Sequence, residues 1–158
     1  MKSSHFNKKG EAHMVDISSK KASVREAVAS CKIYMKQKTL EMIESVTHNK
    51  GDVLSVARIA GITGAKKTSD LIPLCHPIGI ESVKIDFFIN IKESCVEAKA
   101  ICKTSNKTGI EMEAMTAVTI AALTVYDMCK SVDRGISINS VNLLKKSGGK
   151  SGLYKKND

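Results

Sequence analysis

Residues 108–130 read TGIEMEAMTAVTIAALTVYDMCK. From Ala114 to Tyr126 no residue is charged, and the charges gather at the two ends: Glu111 and Glu113 at the start, Asp127 and Lys130 at the finish. Thr108 and Glu111 stand at the spacing of a capping box, in which the hydroxyl accepts from a backbone N–H three residues on and the carboxylate reaches back. The stretch reads as one long helix of roughly 35 Å, at about 1.5 Å per residue. Apolar nearly all round, it must be covered on more than one side. Its uncharged run falls short of the about 20 residues needed to cross a bilayer. We expect a buried central helix that carries ionisable groups to two different places.

The flanking sequence supplies the cover. Before the helix, Val83, Ile85, Phe87, Ile89 and Ile91 alternate with Ser82, Lys84, Asp86, Asn90 and Lys92. After a turn at Glu93 and Ser94, Val96, Ala98, Ala100 and Cys102 alternate with Glu97, Lys99 and Lys103, completing a hairpin. Further back, Ala27, Ala29, Cys31, Ile33 and Met35 set a period of two that reads as a strand. His13 to Ile17 fits a short strand, and residues 39–46 a helix. Asp52 is placed to N-cap a second helix, which Gly61 and Gly64 punctuate. After the long helix, residues 136–144 (ISINSVNLL) read as a last strand. The order gives an α+β sandwich with an antiparallel sheet. Its expected parts are a flexible lead-in at 1–12, one catalytic domain at 13–145, and a basic glycine-rich segment at 146–158 that contributes to the site.

At 158 residues the chain has the size of one domain. Its 25 Lys and Arg outnumber 16 Asp and Glu, a net charge of +9 that suits an anionic partner. Aromatics make up only 4%, too few to furnish a stacking platform for single-stranded nucleic acid. The five cysteines form no C-x-x-C pair, which argues against structural zinc and for a reducing compartment. The N-terminal residues carry no apolar core of a secretory signal, so we expect a cytosolic protein.

Three places can carry chemistry. The chain's two prolines, Pro73 and Pro77, bracket Leu74, Cys75 and His76, a stiff loop presenting an imidazole. Asp127 and Lys130 are neighbours on the helix surface; partly buried, they would form an acid–base couple. Glu111 and Glu113 point about 200° apart on a helix of roughly 3.6 residues per turn, so we assign Glu111 to capping and Glu113 to the site. The tail SGGKS at 147–151 invites a P-loop reading, but the pattern asks for a glycine five positions before Gly149, where Leu144 stands.

The segments GEAHMVD (10–16), KGDV (50–53), DLIPLCHP (70–77), KTGIEMEA (107–114), YDMCK (126–130) and KSGGKSG (146–152) resemble, in order and over nearly the whole chain, the MoaC family of cyclic pyranopterin monophosphate synthases in molybdenum cofactor biosynthesis. The resemblance implies a ferredoxin-like fold and a homohexamer, a trimer of dimers, with its site at a subunit interface. It implies a substrate, 3′,8-cyclo-7,8-dihydro-GTP, delivered by a radical SAM enzyme, and release of pyrophosphate. Carried onto matching positions, it makes Asp127 the catalytic residue, with Lys130 beside it and Lys50 a further catalytic lysine. Leu74, Cys75, His76, Met112 and Glu113 are implied to line the substrate. Arg25, Lys66, Lys146 and Lys150 are implied to meet the triphosphate. No cofactor, nucleic acid or membrane partner is expected, and the sequence shows no metal-ligand cluster of its own. The alternative from another class is a basic nucleotide- or RNA-binding module without catalysis.

Overall fold

The computed structural model describes residues 5–7, 9–47 and 51–157. In chain order the elements are β1 (Ser23–Tyr34), α1 (Gln37–Glu44), α2 (Val53–Lys66), the single turn α3 (Thr68–Leu71), β2 (Ser82–Asn90), β3 (Cys95–Asn106), α4 (Glu111–Cys129), β4 (Ser137–Ser147) and the short β5 (Tyr154–Lys155). The sheet is antiparallel throughout, with strand order β2-β3-β1-β4-β5. Leaving aside β5, a βαββαβ chain with this strand order is the ferredoxin-like arrangement, as the resemblance implies.

The register explains how one helix layer sits so close to the sheet. Ala27 pairs with Cys102, Ala29 with Ala100, Cys31 with Ala98 and Ile33 with Val96. Paired residues share a face, so the centre of the inner face is small side chains, all buried. Against it α4 lays Ala114, Ala117, Val118, Ala121, Ala122 and Val125, each 0% exposed. α2 covers α4 from the side. Here Gly61 and Gly64 lie inside the helix and do not punctuate it. A Cβ on Gly61 would stand 2.8 Å from the Ala117 carbonyl oxygen, and one on Gly64 2.8 Å from Ile120 Cβ; the two glycines let the helices touch. By length and composition α4 is long and apolar enough to cross a membrane once its ends are counted, a correction to the length argument above. Its buried residues pack against the sheet and α2, while Met112 and Leu123 stay exposed.

Three further expectations are corrected. Residues 13–17 pair with no strand; they run as an extended segment, entered from a small bridge between Phe6 and Ala12. Just before the proline loop, residues 68–71 wind into α3, where the buried Thr68 hydroxyl donates to the Ala65 carbonyl at 2.9 Å. The last strand continues to Ser147, so Lys145 and Lys146 are strand residues. The glycine-rich turn after it leads into β5, not into a helix, which leaves no P-loop. Finally, Ile110 stands at the N-cap of α4 and no side chain caps the helix; the Thr108–Glu111 capping box does not form.

Beyond α4, the buried Asp133 closes the far end of the molecule. Its carboxylate accepts from Lys36 N at 2.8 Å, the Thr39 hydroxyl at 3.2 Å and Gly135 N at 3.0 Å. It thereby ties the loop after α4 to the start of α1.

Candidate active site

A cleft of about 310 Å³ opens at the N-terminal end of α4, within the range of small-molecule sites. The proline loop contributes Leu74, Cys75 and His76 to one wall, and the start of α4 contributes Glu111 and Met112. Val15 and Ile17, from the extended N-terminal segment, form another. His76 Nε2 lies 2.8 Å from the Val15 carbonyl oxygen, joining two of these walls.

Glu111, assigned above to capping, makes no cap. Glu111 lines the cleft, folds back over Gly109 and pairs with Lys146 Nζ at 3.3 Å. Glu113 sits behind the wall, 3% exposed, with its Oε2 lacking a hydrogen-bond partner. Its Oε1 is 3.9 Å from the Cys75 thiol. Burial pushes the Glu113 carboxyl above the ordinary carboxylate range, and the neighbouring Glu111 charge adds to this. The Cys75 thiol is raised by burial and by Glu113. The Cys102 thiol, buried in β3, is pushed up to about 12 by burial and by the same carboxylate. Burial thus biases the Glu113 carboxyl toward its neutral form relative to an exposed one.

Arg25 braces the neighbouring wall. Its Nε donates to the Asn106 carbonyl at 2.8 Å and its Nη2 to the Lys107 carbonyl at 3.2 Å. The guanidinium lies under Gly149, and Gly148 crosses over the Val24 carbonyl; side chains at either glycine would collide with these groups, and both have positive φ. The Gly-Gly pair is thus a close-approach turn that folds the tail back onto β1. It creates a second cleft of about 350 Å³ lined by Lys20, Lys21, Arg25, Gly149 and Lys150 among others. Lys20 lines both clefts, so an apolar-walled chamber and a basic one adjoin. An anion held in the second would meet four cations at close range.

The structure therefore gathers Leu74, Cys75, His76, Met112, Glu113, Arg25, Lys146 and Lys150 around one end of α4. It does not bring Asp127 and Lys130 there. Their ion pair, 2.6 Å long, lies at the other end of the helix with side chains 65% and 53% exposed; within the chain it is not the partly buried couple considered above. From Glu113 to Asp127 is roughly 21 Å along the axis, at about 1.5 Å per residue. Lys66 lines a separate cleft with Ile62, Ile78 and Ile80. Lys50 lies outside the described residues. Sequence reasoning missed Lys20, Lys21 and the cleft role of Glu111. The adjacent lysines just before β1 were the available signal for the first two. Glu111 had none, since its partner comes from a strand that is distant in sequence.

Comparison with known proteins agrees with this assembly of segments. The cyclic pyranopterin monophosphate synthase of Thermoanaerobacter sp. (strain X514) is 54% identical over 156 residues, covering 99% of each chain. The protein of the same name from Thermoanaerobacter pseudethanolicus (strain ATCC 33223 / 39E) is also 54% identical over 156 residues, again 99% of each. The MoaC family model matches residues 14–149, a span that takes in the N-terminal segment, the proline loop, both ends of α4 and the glycine turn. With the fold, the segments and the full-length likeness in agreement, the chain belongs to the MoaC family.

Proposed function

We propose that this chain is a lyase of molybdenum cofactor biosynthesis that converts 3′,8-cyclo-7,8-dihydro-GTP to cyclic pyranopterin monophosphate with release of pyrophosphate. The observation that carries this is the likeness, over 99% of the chain, to synthases of that name. The paired clefts support it: the first suits a heterocycle, the second a polyphosphate. Leu74, Cys75, His76 and Met112 wall the chamber that takes the ring system, with Glu113 behind that wall. Arg25, Lys146 and Lys150, joined by Lys20 and Lys21, neutralise the triphosphate; Lys66 serves it only if another subunit brings it there. In the closing step a substrate hydroxyl attacks the α-phosphorus, the α–β phosphoanhydride bond breaks, and pyrophosphate leaves with the electron pair. Cations around the leaving group stabilise that charge. Asp127, Lys130 and Lys50 act as the acid–base groups for ring opening and closure.

One chain holds the two ends of α4 too far apart for a single small molecule. The site is therefore assembled in the homohexamer, a trimer of dimers, with the N-terminal end of α4 from one subunit meeting the C-terminal end from its neighbour. Val56, Ile59 and Leu123, exposed on the helices, offer apolar surface for such packing. The five free cysteines suit a reducing, cytoplasmic setting. A radical SAM enzyme supplies the substrate.

The test supplies the cyclised GTP intermediate to purified protein and looks for product and pyrophosphate. Product from wild type, lost in folded Asp127→Asn and Lys130→Ala, supports the reading. No product from folded, oligomeric wild type overturns it. Mixed oligomers of Asp127→Asn and a variant inactivated at the cleft end of α4 should regain part of the activity that each lacks alone; none regained would sink the shared site.

A further inference from the structure

The N-terminal segment at 13–18 walls the cleft without belonging to the sheet. Val15 and Ile17 line the cleft, and Lys20, just beyond, lines both chambers. Among the described residues no strand ladder holds residues 14–18. Two side chains from elsewhere grip its backbone instead. His76 Nε2 meets the Val15 carbonyl at 2.8 Å, and Lys107 Nζ donates to the Ser18 carbonyl at 2.8 Å. Within the segment, Ser18 N donates to Asp16 Oδ1 and Lys20 N to the Ile17 carbonyl, so the stretch turns as a unit from Asp16 into Lys20.

A carbonyl oxygen can only accept, so Nε2 of His76 must carry a proton and donate it. Either the neutral ring protonated at Nε2 or the imidazolium does this. Nε2 therefore cannot accept a proton from substrate while the segment is in place. For that nitrogen, holding the segment and acting as a base exclude one another. Lys107 lies next to Thr108, another residue of the cleft wall, so both grips come from segments that frame the cleft.

We propose that His76 and Lys107 are positioning residues that clasp residues 13–18 as a strap across the cleft. The strap carries Lys20 into place between the two chambers, so the clasp sets substrate affinity more than turnover. The affinity part of this rests on the proposed function; the strap itself does not.

The experiment measures backbone amide exchange at residues 14–18 in the full-length, substrate-free protein, alongside KM and kcat. His76→Ala and Lys107→Met should each speed exchange by roughly two- to tenfold, the range of one net hydrogen bond. His76→Gln, whose side-chain N–H can donate to the same carbonyl, should restore slow exchange. KM should rise in His76→Ala and Lys107→Met and recover in His76→Gln, with kcat moving much less. Exchange at 14–18 equal to wild type in both His76→Ala and Lys107→Met would overturn the clasp. So would kcat falling alike in His76→Ala and His76→Gln with KM unmoved, since that result means the imidazole acts on the substrate itself. Absence of turnover in wild type would count against the proposed reaction alone, because the exchange result is read without substrate.

Discussion

The two ends of α4 carry similar side chains in opposite surroundings. At the first turn Glu113 is buried, with one oxygen unpartnered and a thiol against the other. At the last turn Asp127 faces Lys130 in water. The buried carboxyl has its protonation biased by the fold before any ligand arrives. In the exposed pair the bias comes from the partner charge and not from burial: Asp127 raises the Lys130 ammonium above its ordinary value, and solvent screens the pair. Chemistry at the exposed end needs cover from outside the chain, whereas the other end carries its own. On the proposed function, the buried end is the binding end and the exposed end the catalytic one that a neighbouring subunit would complete.

The largest effect expected from breaking this division is at the exposed end. Asp127→Asn should lower kcat by about 10²–10⁴, the usual scale of lost acid–base catalysis, while the melting temperature stays close to wild type. A variant that loses activity only in proportion to lost folding would place the chemistry elsewhere. The assay with the cyclised GTP intermediate, run beside thermal unfolding, decides it.

Asp133 is the buried counterweight at that same end. Burial pulls its carboxyl up, but the hydrogen bonds from Lys36, Gly135 and Thr39 outweigh this and hold it below the usual carboxylate range. A lowered folded value means stability that is present at neutral pH and lost as pH falls through that value. Asp133→Ala should cost about 2–3 kcal/mol at pH 7, the scale of hydrogen bonds to a buried charge. The difference from wild type should shrink in acid below the carboxylate range. Urea unfolding at the two pH values measures both.

Midway between the ends, Gly61 sets how far α2 stands from α4. In Gly61→Ala the new methyl would meet both the Ala117 carbonyl oxygen and Ile85 Cδ1, at 2.8 and 2.5 Å. Backbone cannot yield as a flexible side chain can, so the helices must separate at a cost of about 1–3 kcal/mol, the scale of overpacking a core. A stabilised Gly61→Ala, as helix propensity alone would give, would contradict the close approach.

The same glycine shows what the sequence carries and what it does not. Local periodicity revealed β1, the β2–β3 hairpin and α4, because alternating and helical apolar patterns are written in neighbouring residues. Gly61 reads as a helix breaker until the partner helix is in view. The site was half legible. The proline brackets and the resemblance pointed to 74–76, and to Met112 and Glu113. The Glu111–Lys146 pair was hidden because Lys146 reaches the inner face through the register shifts of the β1–β4 pairing, opposite Ala27. The angular argument that excluded Glu111 from the pocket treated the site as lying on one side of the helix, yet the cleft lies over its end. Asp133 had no signal at all: a single carboxylate whose three donors come from three loop and helix positions leaves no pattern.

Glu113 gives the smallest effect and the sharpest reading of the buried end. Its folded carboxyl is raised above its unfolded value, so as pH climbs the unfolded chain gives up its proton first. The native state then binds more protons than the unfolded one, and stability falls as pH rises through that interval. Glu113→Gln, which cannot ionise, removes this contribution: the variant should gain on wild type as pH rises above the ordinary carboxylate range, and the two stability profiles should converge in acid. The opposite slope, with wild type gaining on the variant as pH rises, would mean that a cation reaches the orphaned oxygen and holds Glu113 charged. The buried end would then be an ion-pair site like its partner at the far end of the helix. Chemical denaturation of both proteins across that pH range reads the sign directly, with no need of substrate.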